Sequence, residues 1–156
     1  MSYNFFIETL GCPKNIADSL CIKGALNLEG NIFTDDLSSA DIVIVNTCGF
    51  IEAAKKESVD LIIKFIDWKN KAPNRLLVIA GCLAQKYSTE LYQDIPEADL
   101  IIGTGDLPVL ARAIDKLRQG VDRLCLVGQP EDFLYNNEWV KASGYGEHRA
   151  YLKIAE

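Results

Sequence analysis

Two short runs constrain this chain more than anything else in it: Asp41-Ile42-Val43-Ile44-Val45 and Leu76-Leu77-Val78-Ile79-Ala80. After Asp41 each is aliphatic without a break, with no polar residue on alternate positions, as expected of a strand buried on both faces. Between them, from about Phe50 to Trp68, Ile51, Ala54, Leu61, Ile62 and Phe65 recur at three- and four-residue spacing, the period of a helix with one buried side. A strand, a helix and a second strand, both strands doubly buried, read as a parallel crossover.

The alternation runs on in both directions. Tyr3 to Glu8 reads as a strand, and Leu10-Gly11-Cys12-Pro13 as a turn. A helix from Lys14 to Glu29 buries Ala17, Leu20, Cys21, Gly24, Ala25 and Leu28 and stops at Gly30. Asn31 to Thr34 is a brief strand, Asn46 to Gly49 a turn, Leu83 to Tyr92 a helical segment and Asp99 to Ile102 a strand. Gly103-Thr104-Gly105-Asp106 leads into a helix with Asp106 as N-cap, Pro108 in the first turn, and Leu110, Ala111, Ile114 and Leu117 facing inward. This predicts an α/β fold: an open, mostly parallel sheet of about five strands with helices on both faces, flavodoxin- or Rossmann-like. After Gly120 the pattern decays. Leu124 to Val127 reads as an edge strand, Gln129 to Arg149 as a loop, and Tyr151 to Ile154 as the start of another strand. The expected division is one domain over 1–128, then a linker and the beginning of a further domain over 129–156, as in a piece of something larger.

Composition excludes several functions. With 49% hydrophobic and 24% charged residues, the chain is globular rather than disordered. Its 22 acidic against 16 basic residues give a net charge of −6, which argues against direct nucleic-acid binding and against an anionic membrane surface. No apolar run reaches the roughly 20 residues of a membrane span. The start, Met1-Ser2-Tyr3-Asn4, lacks the basic and apolar regions of a signal peptide, so a reducing cytoplasm is the expected compartment.

Five cysteines therefore need an explanation other than disulfides. Cys21 falls on the apolar face of the first helix and Cys125 inside Leu124-Cys125-Leu126-Val127; both read as small buried hydrophobes pointing into the core. Cys12, Cys48 and Cys82 differ. They are far apart in sequence, yet each directly follows a strand, and in a parallel open sheet all such turns share the edge where ligands bind. Three thiols among helix N-termini suit a metal centre, and three protein ligands on a four-iron cluster leave one iron open. A zinc site of Cys12, Cys48, Cys82 and the only histidine, His148, is the competing metal reading, but His148 sits in a loop-like stretch and reads as solvent-exposed. Gly103-Thr104-Gly105-Asp106 lacks the Gly and Lys pattern of a phosphate loop and reads as a turn.

Four separated motifs carry a resemblance. They are Leu10-Gly11-Cys12-Pro13-Lys14-Asn15 with Asp18-Ser19; Val45-Asn46-Thr47-Cys48-Gly49-Phe50-Ile51 with Ala54-Lys55 and Glu57-Ser58; Ala80-Gly81-Cys82-Leu83-Ala84-Gln85; and Gly103-Thr104-Gly105-Asp106. In this order they resemble the N-terminal domain of the radical-SAM methylthiotransferases, and the Gly-Cys-Pro-Lys-Asn and Asn-Thr-Cys-Gly-Phe-Ile forms resemble the branch acting on ribosomal protein twelve of the small subunit. The resemblance implies that Cys12, Cys48 and Cys82 hold an auxiliary [4Fe-4S] cluster whose open iron carries the sulfur to be methylated and transferred to an aspartate of that protein. It also implies a following radical-SAM domain, with a second [4Fe-4S] cluster and S-adenosylmethionine, as intramolecular partner. That domain's Cys-x-x-x-Cys-x-x-Cys signature is absent here, so this stretch alone is expected to be inactive, the protein substrate being reached through the missing domains. Two alternatives stand beside it: a tRNA methylthiotransferase of the same family, and a non-catalytic flavodoxin-like binding domain.

Overall fold

The computed structural model describes residues 1–128. They form six parallel strands in the order β2-β1-β3-β4-β5-β6. In chain order the elements are β1 (Asn4–Thr9), α1 (Pro13–Leu28), β2 (Ile32–Phe33), β3 (Ile42–Thr47), α2 (Glu52–Asn70), β4 (Leu76–Gly81), α3 (Cys82–Lys86), α4 (Ser88–Asp94), β5 (Leu100–Ile102), α5 (Leu110–Arg118) and β6 (Leu124–Leu126), with 3-10 turns at Leu37–Ser39 and Thr104–Val109. The open α/β architecture read from the sequence is the one found, with one strand more than the five expected.

The central strands show why the unbroken aliphatic runs were needed. Along β3, Ile42 and Ile44 pack on one face with Ile22 and Leu26 of α1 and Leu110, Ile114 and Leu117 of α5. Val43 and Val45 pack on the other with Ile62, Phe65 and Trp68 of α2 and Leu83 and Leu91 beyond β4. Successive side chains point to opposite faces, so a strand between two helical layers must be apolar at every position.

The chain steps outward from β1 to β2 and then returns to place β3 on the other side of β1. The loop after β1 leads to α1 on one face, and the loop after β3 leads to α2 on the opposite face. The C-terminal ends of β1 and β3 are therefore the switch point of the sheet, the place where folds of this kind bind ligands.

Several local expectations are corrected. β3 runs on to Thr47, so Asn46 and Thr47 are strand residues, fully buried and paired with Ala80 and Gly81 of β4, rather than part of a turn. α2 begins at Glu52, and Ile51 is 58% exposed instead of inward. In α1, Leu28 is exposed, while Asn15, Asp18 and Ser19 are buried. The segment after Cys82 is two short helices broken at Tyr87, whose φ of −124° and ψ of 33° are not helical. Asp106 is not an N-cap: it lies within the Thr104–Val109 turn, and its carboxylate accepts the Gly128 N–H. Cys125 is exposed, because edge strand β6 carries helical cover only on the α5 side, through Leu124 and Leu126. The expectations for Gln129 to Glu156, His148 among them, and the boundary between 1–128 and 129–156, fall outside the described residues.

Candidate metal centre at the switch-point edge

Cys12, Cys48 and Cys82 follow the C-terminal ends of β1, β3 and β4, three adjacent strands. Cys12 is the N-cap of α1, exposed, with Pro13 starting the helix. Its carbonyl accepts the Asn15 N–H at 3.0 Å, so its thiol is not used in capping. Cys48 is buried in the loop between β3 and α2, and Cys82 is half-buried at the first position of α3.

The loops meet through close approaches that only glycine permits. A Cβ on Gly11 would lie 2.6 Å from Cys48 Cβ and 2.8 Å from its Sγ, so the Cys48 side chain rests directly against the Cys12 loop. Gly11 has a φ of 89°, which glycine alone adopts without strain. A Cβ on Gly81 (φ 95°) would lie 2.5 Å from Asn46 Oδ1 and 2.5 Å from Thr47 O, which brings the loop after β4 against the end of β3.

Beneath the thiols lies a buried polar lattice. Asn15 Nδ2 donates to Leu10 O at 2.6 Å and to Thr47 O at 3.0 Å, tying the loop after β1 to the end of β3. Asn46 Nδ2 donates to Asn15 O and to Ser19 Oγ, both at 2.9 Å, and the Ser19 hydroxyl pairs with that of Thr9 at 2.7 Å. Thr47 Oγ1 donates to Ala80 O, joining β3 to β4. Ser58, on the second turn of α2, holds Cys48 from both sides: its hydroxyl accepts the Cys48 N–H at 3.1 Å and donates to the Cys48 carbonyl at 3.0 Å. Asn15, Asn46, Thr47 and Ser58 have no exposed surface. Buried polar groups of this kind are costly unless satisfied, so a paired set fixes loop geometry strongly. Two carboxamide oxygens, Asn15 Oδ1 and Asn46 Oδ1, accept no hydrogen bond among the described residues.

Asn15, Ser19, Asn46, Thr47 and Ser58 lie within the sequence motifs, but the motifs alone assign them no role. The one local signal is in α1, where Asn15, Asp18 and Ser19 interrupt the apolar face on the side turned to the sheet.

Electrostatics couples the thiols. Burial pushes the Cys82 thiol above the ordinary thiol range; the Lys14 ammonium opposes this, and Cys48, Cys12 and Asp18 reinforce it. The unliganded Cys82 is thus a neutral thiol at pH 7, not a free thiolate nucleophile. Among the described residues no three His, Cys, Asp or Glu side chains converge closely enough to hold one metal ion. Three cysteine thiols are a donor set of the kind that ligates iron–sulfur clusters, in which each cysteine binds a different iron. Cys21 is 1% exposed inside α1, and Cys125 lies out on β6.

Fold and site together define a doubly wound parallel α/β domain whose switch-point edge presents three thiols on a buried polar frame. Residues 4–103 match the uncharacterized protein family UPF0004, and the chain belongs to that family. It is 44% identical over 150 residues to the ribosomal protein uS12 methylthiotransferase RimO of Citrifermentans bemidjiense, a match covering 96% of this chain and 33% of that protein. The protein of the same name from Geotalea uraniireducens is 43% identical over 150 residues, with the same coverage of 96% and 33%. That of Clostridioides difficile is 41% identical over 152 residues, again 96% and 33%. The chain thus spans about a third of the length of these relatives. No described helix is long and apolar enough to cross a membrane.

Proposed function

We propose that this chain is the sulfur-donor part of a radical-SAM methylthiotransferase acting on a small-subunit ribosomal protein, and that Cys12, Cys48 and Cys82 hold its auxiliary [4Fe-4S] cluster. The observation that carries the reading is the placement of these cysteines on three neighbouring strand ends, with their loops bound to one another by Asn15, Asn46, Thr47 and Ser58. When bound, the cluster supplies thiolate-ligated iron with a position left open for the transferable sulfur.

The residues of the chain have separate tasks in this reading. Cys12, exposed at the start of α1, lies at the positive end of that helix, which favours an anionic cluster beside it. Ser58 sets the depth of Cys48. Gly11 and Gly81 allow the loops to close on one another. Phe50, 91% exposed, and Ile51 stand beside Cys48 as apolar surface for the catalytic radical-SAM domain, which brings the second cluster and S-adenosylmethionine. The names of the relatives favour a ribosomal protein over tRNA as substrate.

The test is anaerobic reconstitution of the chain with iron and sulfide. A broad iron–sulfur absorbance with about four irons per chain supports the reading. Sharp flavin bands from purified protein, or no iron retained after desalting, would refute it.

A further inference from the structure

Helix α2 carries more apolar surface than the sheet uses. Its inner stripe, Ser58, Ile62, Phe65 and Trp68, is buried against β3 and β4. One such stripe is what a helix on an α/β sheet needs. A second stripe of Val59, Ile63 and Ile66 runs along its flank and faces Tyr87, Leu91 and Ile95 on the α3–α4 side across a groove of about 620 Å³. Its floor is partly buried, but Ile63 is 54% exposed. The groove starts at Leu83, the residue after Cys82, and passes down the flank of the domain to Glu97.

The rim is charged with one dominant sign. Glu90, Asp94 and Glu97 line the α4 side, and among the described residues no ion pair involves any of them. Among the described residues the one cation lining the groove, Lys55, sits over the Tyr87 ring at 4.3 Å. The neighbouring cations are engaged elsewhere: Lys69 with Asp99 at 2.6 Å, Arg123 with the carbonyls of Tyr92, Ile95 and Ala98, and Lys86 near the Tyr87 ring. Among the described residues the walls offer no cluster of converging polar groups of the sort that orients a small molecule. Two parallel apolar walls with a one-sided acidic rim are the complement of an amphipathic helix whose polar face is basic.

We propose that the α2–α4 groove docks a cationic amphipathic helical segment of a partner protein, with apolar anchors at i, i+3 or i+4, and i+7 in the groove and Lys or Arg residues against Glu90, Asp94 and Glu97. This goes beyond the cluster-binding reading and does not depend on it, since the groove residues exclude Cys12, Cys48 and Cys82.

The experiment titrates the full chain with a designed Leu/Lys amphipathic helix and, separately, with its Leu/Glu counterpart, followed by amide chemical shifts. The Leu/Lys peptide is expected to shift residues around Ile63, Tyr87 and Leu91, with affinity that falls as salt rises. Ile63→Asp and the double change Glu90→Lys/Asp94→Lys should each weaken binding at least about tenfold. Ile32→Asp, on the distant edge strand, should leave it unchanged, and circular dichroism should show all three variants folded. Equal binding of the Leu/Glu peptide, shifts confined to another face, or no binding would overturn the proposal. So would a self-association of the chain that Ile63→Asp abolishes, which would assign the groove to a second copy.

Discussion

The C-terminal edge of the sheet has two halves built to different plans. After β1, β3 and β4 the strands end in loops carrying cysteine, cross-tied by side chains that are wholly buried. After β5 the edge is sealed: Gln85 donates from Nε2 to Gly128 O at 3.0 Å and packs over Gly103, and Asp106 accepts the Gly128 N–H. These closing bonds are exposed. Both halves occupy the same position in a parallel sheet, so that position alone does not make a site. The difference lies in where the polar groups are invested. On the β1–β3–β4 side they are buried under the thiols, where removing one leaves its partner stranded; on the β5 side they lie in water, where solvent replaces a lost bond.

Substitutions should separate the halves by magnitude. Gly81→Ala should be the most damaging. It forces a side chain into a φ of 95° and against Asn46 and Thr47, at a cost of about 3–4 kcal/mol in urea unfolding. Asn46→Ala removes both donors to Asn15 O and Ser19 Oγ in a fully buried position, and should cost about 2–3 kcal/mol by the same measurement. Ser58→Ala leaves the Cys48 N–H and carbonyl without their shared partner. It should cost about 1–2 kcal/mol and make Cys48 alkylate faster relative to Cys12 within the same molecules, as read by peptide mass analysis. Asp106→Ala, on the exposed half, should cost less than about 1 kcal/mol. A loss at Asp106 as large as that at Asn46 would erase the distinction.

How much of this was legible in the sequence follows from the same contrast. The fold was readable because the strands between helical layers tolerate no polar alternation, and the Ile42–Val45 run states this directly. The three cysteine positions were readable as strand-following turns. What stayed hidden was the frame beneath them. Asn46 and Thr47 look like turn residues, since polar pairs after a strand usually are, and only pairing with Ala80 and Gly81 keeps them in the sheet. Ser58 looks like any polar helix residue until its hydroxyl is seen against Cys48. Cys125 misled for the opposite reason: an apolar run implies burial, but an edge strand gains cover on one face only.

The claim that Cys12, Cys48 and Cys82 act as one set is tested most directly by iron retention after anaerobic reconstitution of five single Cys→Ala variants, measured beside circular dichroism. Replacing Cys12, Cys48 or Cys82 should lower retained iron severalfold in a folded chain, while replacing Cys21 or Cys125 should leave it at the level of the unaltered chain. Equal loss across all five, or loss on replacing Cys21 alone, would contradict it.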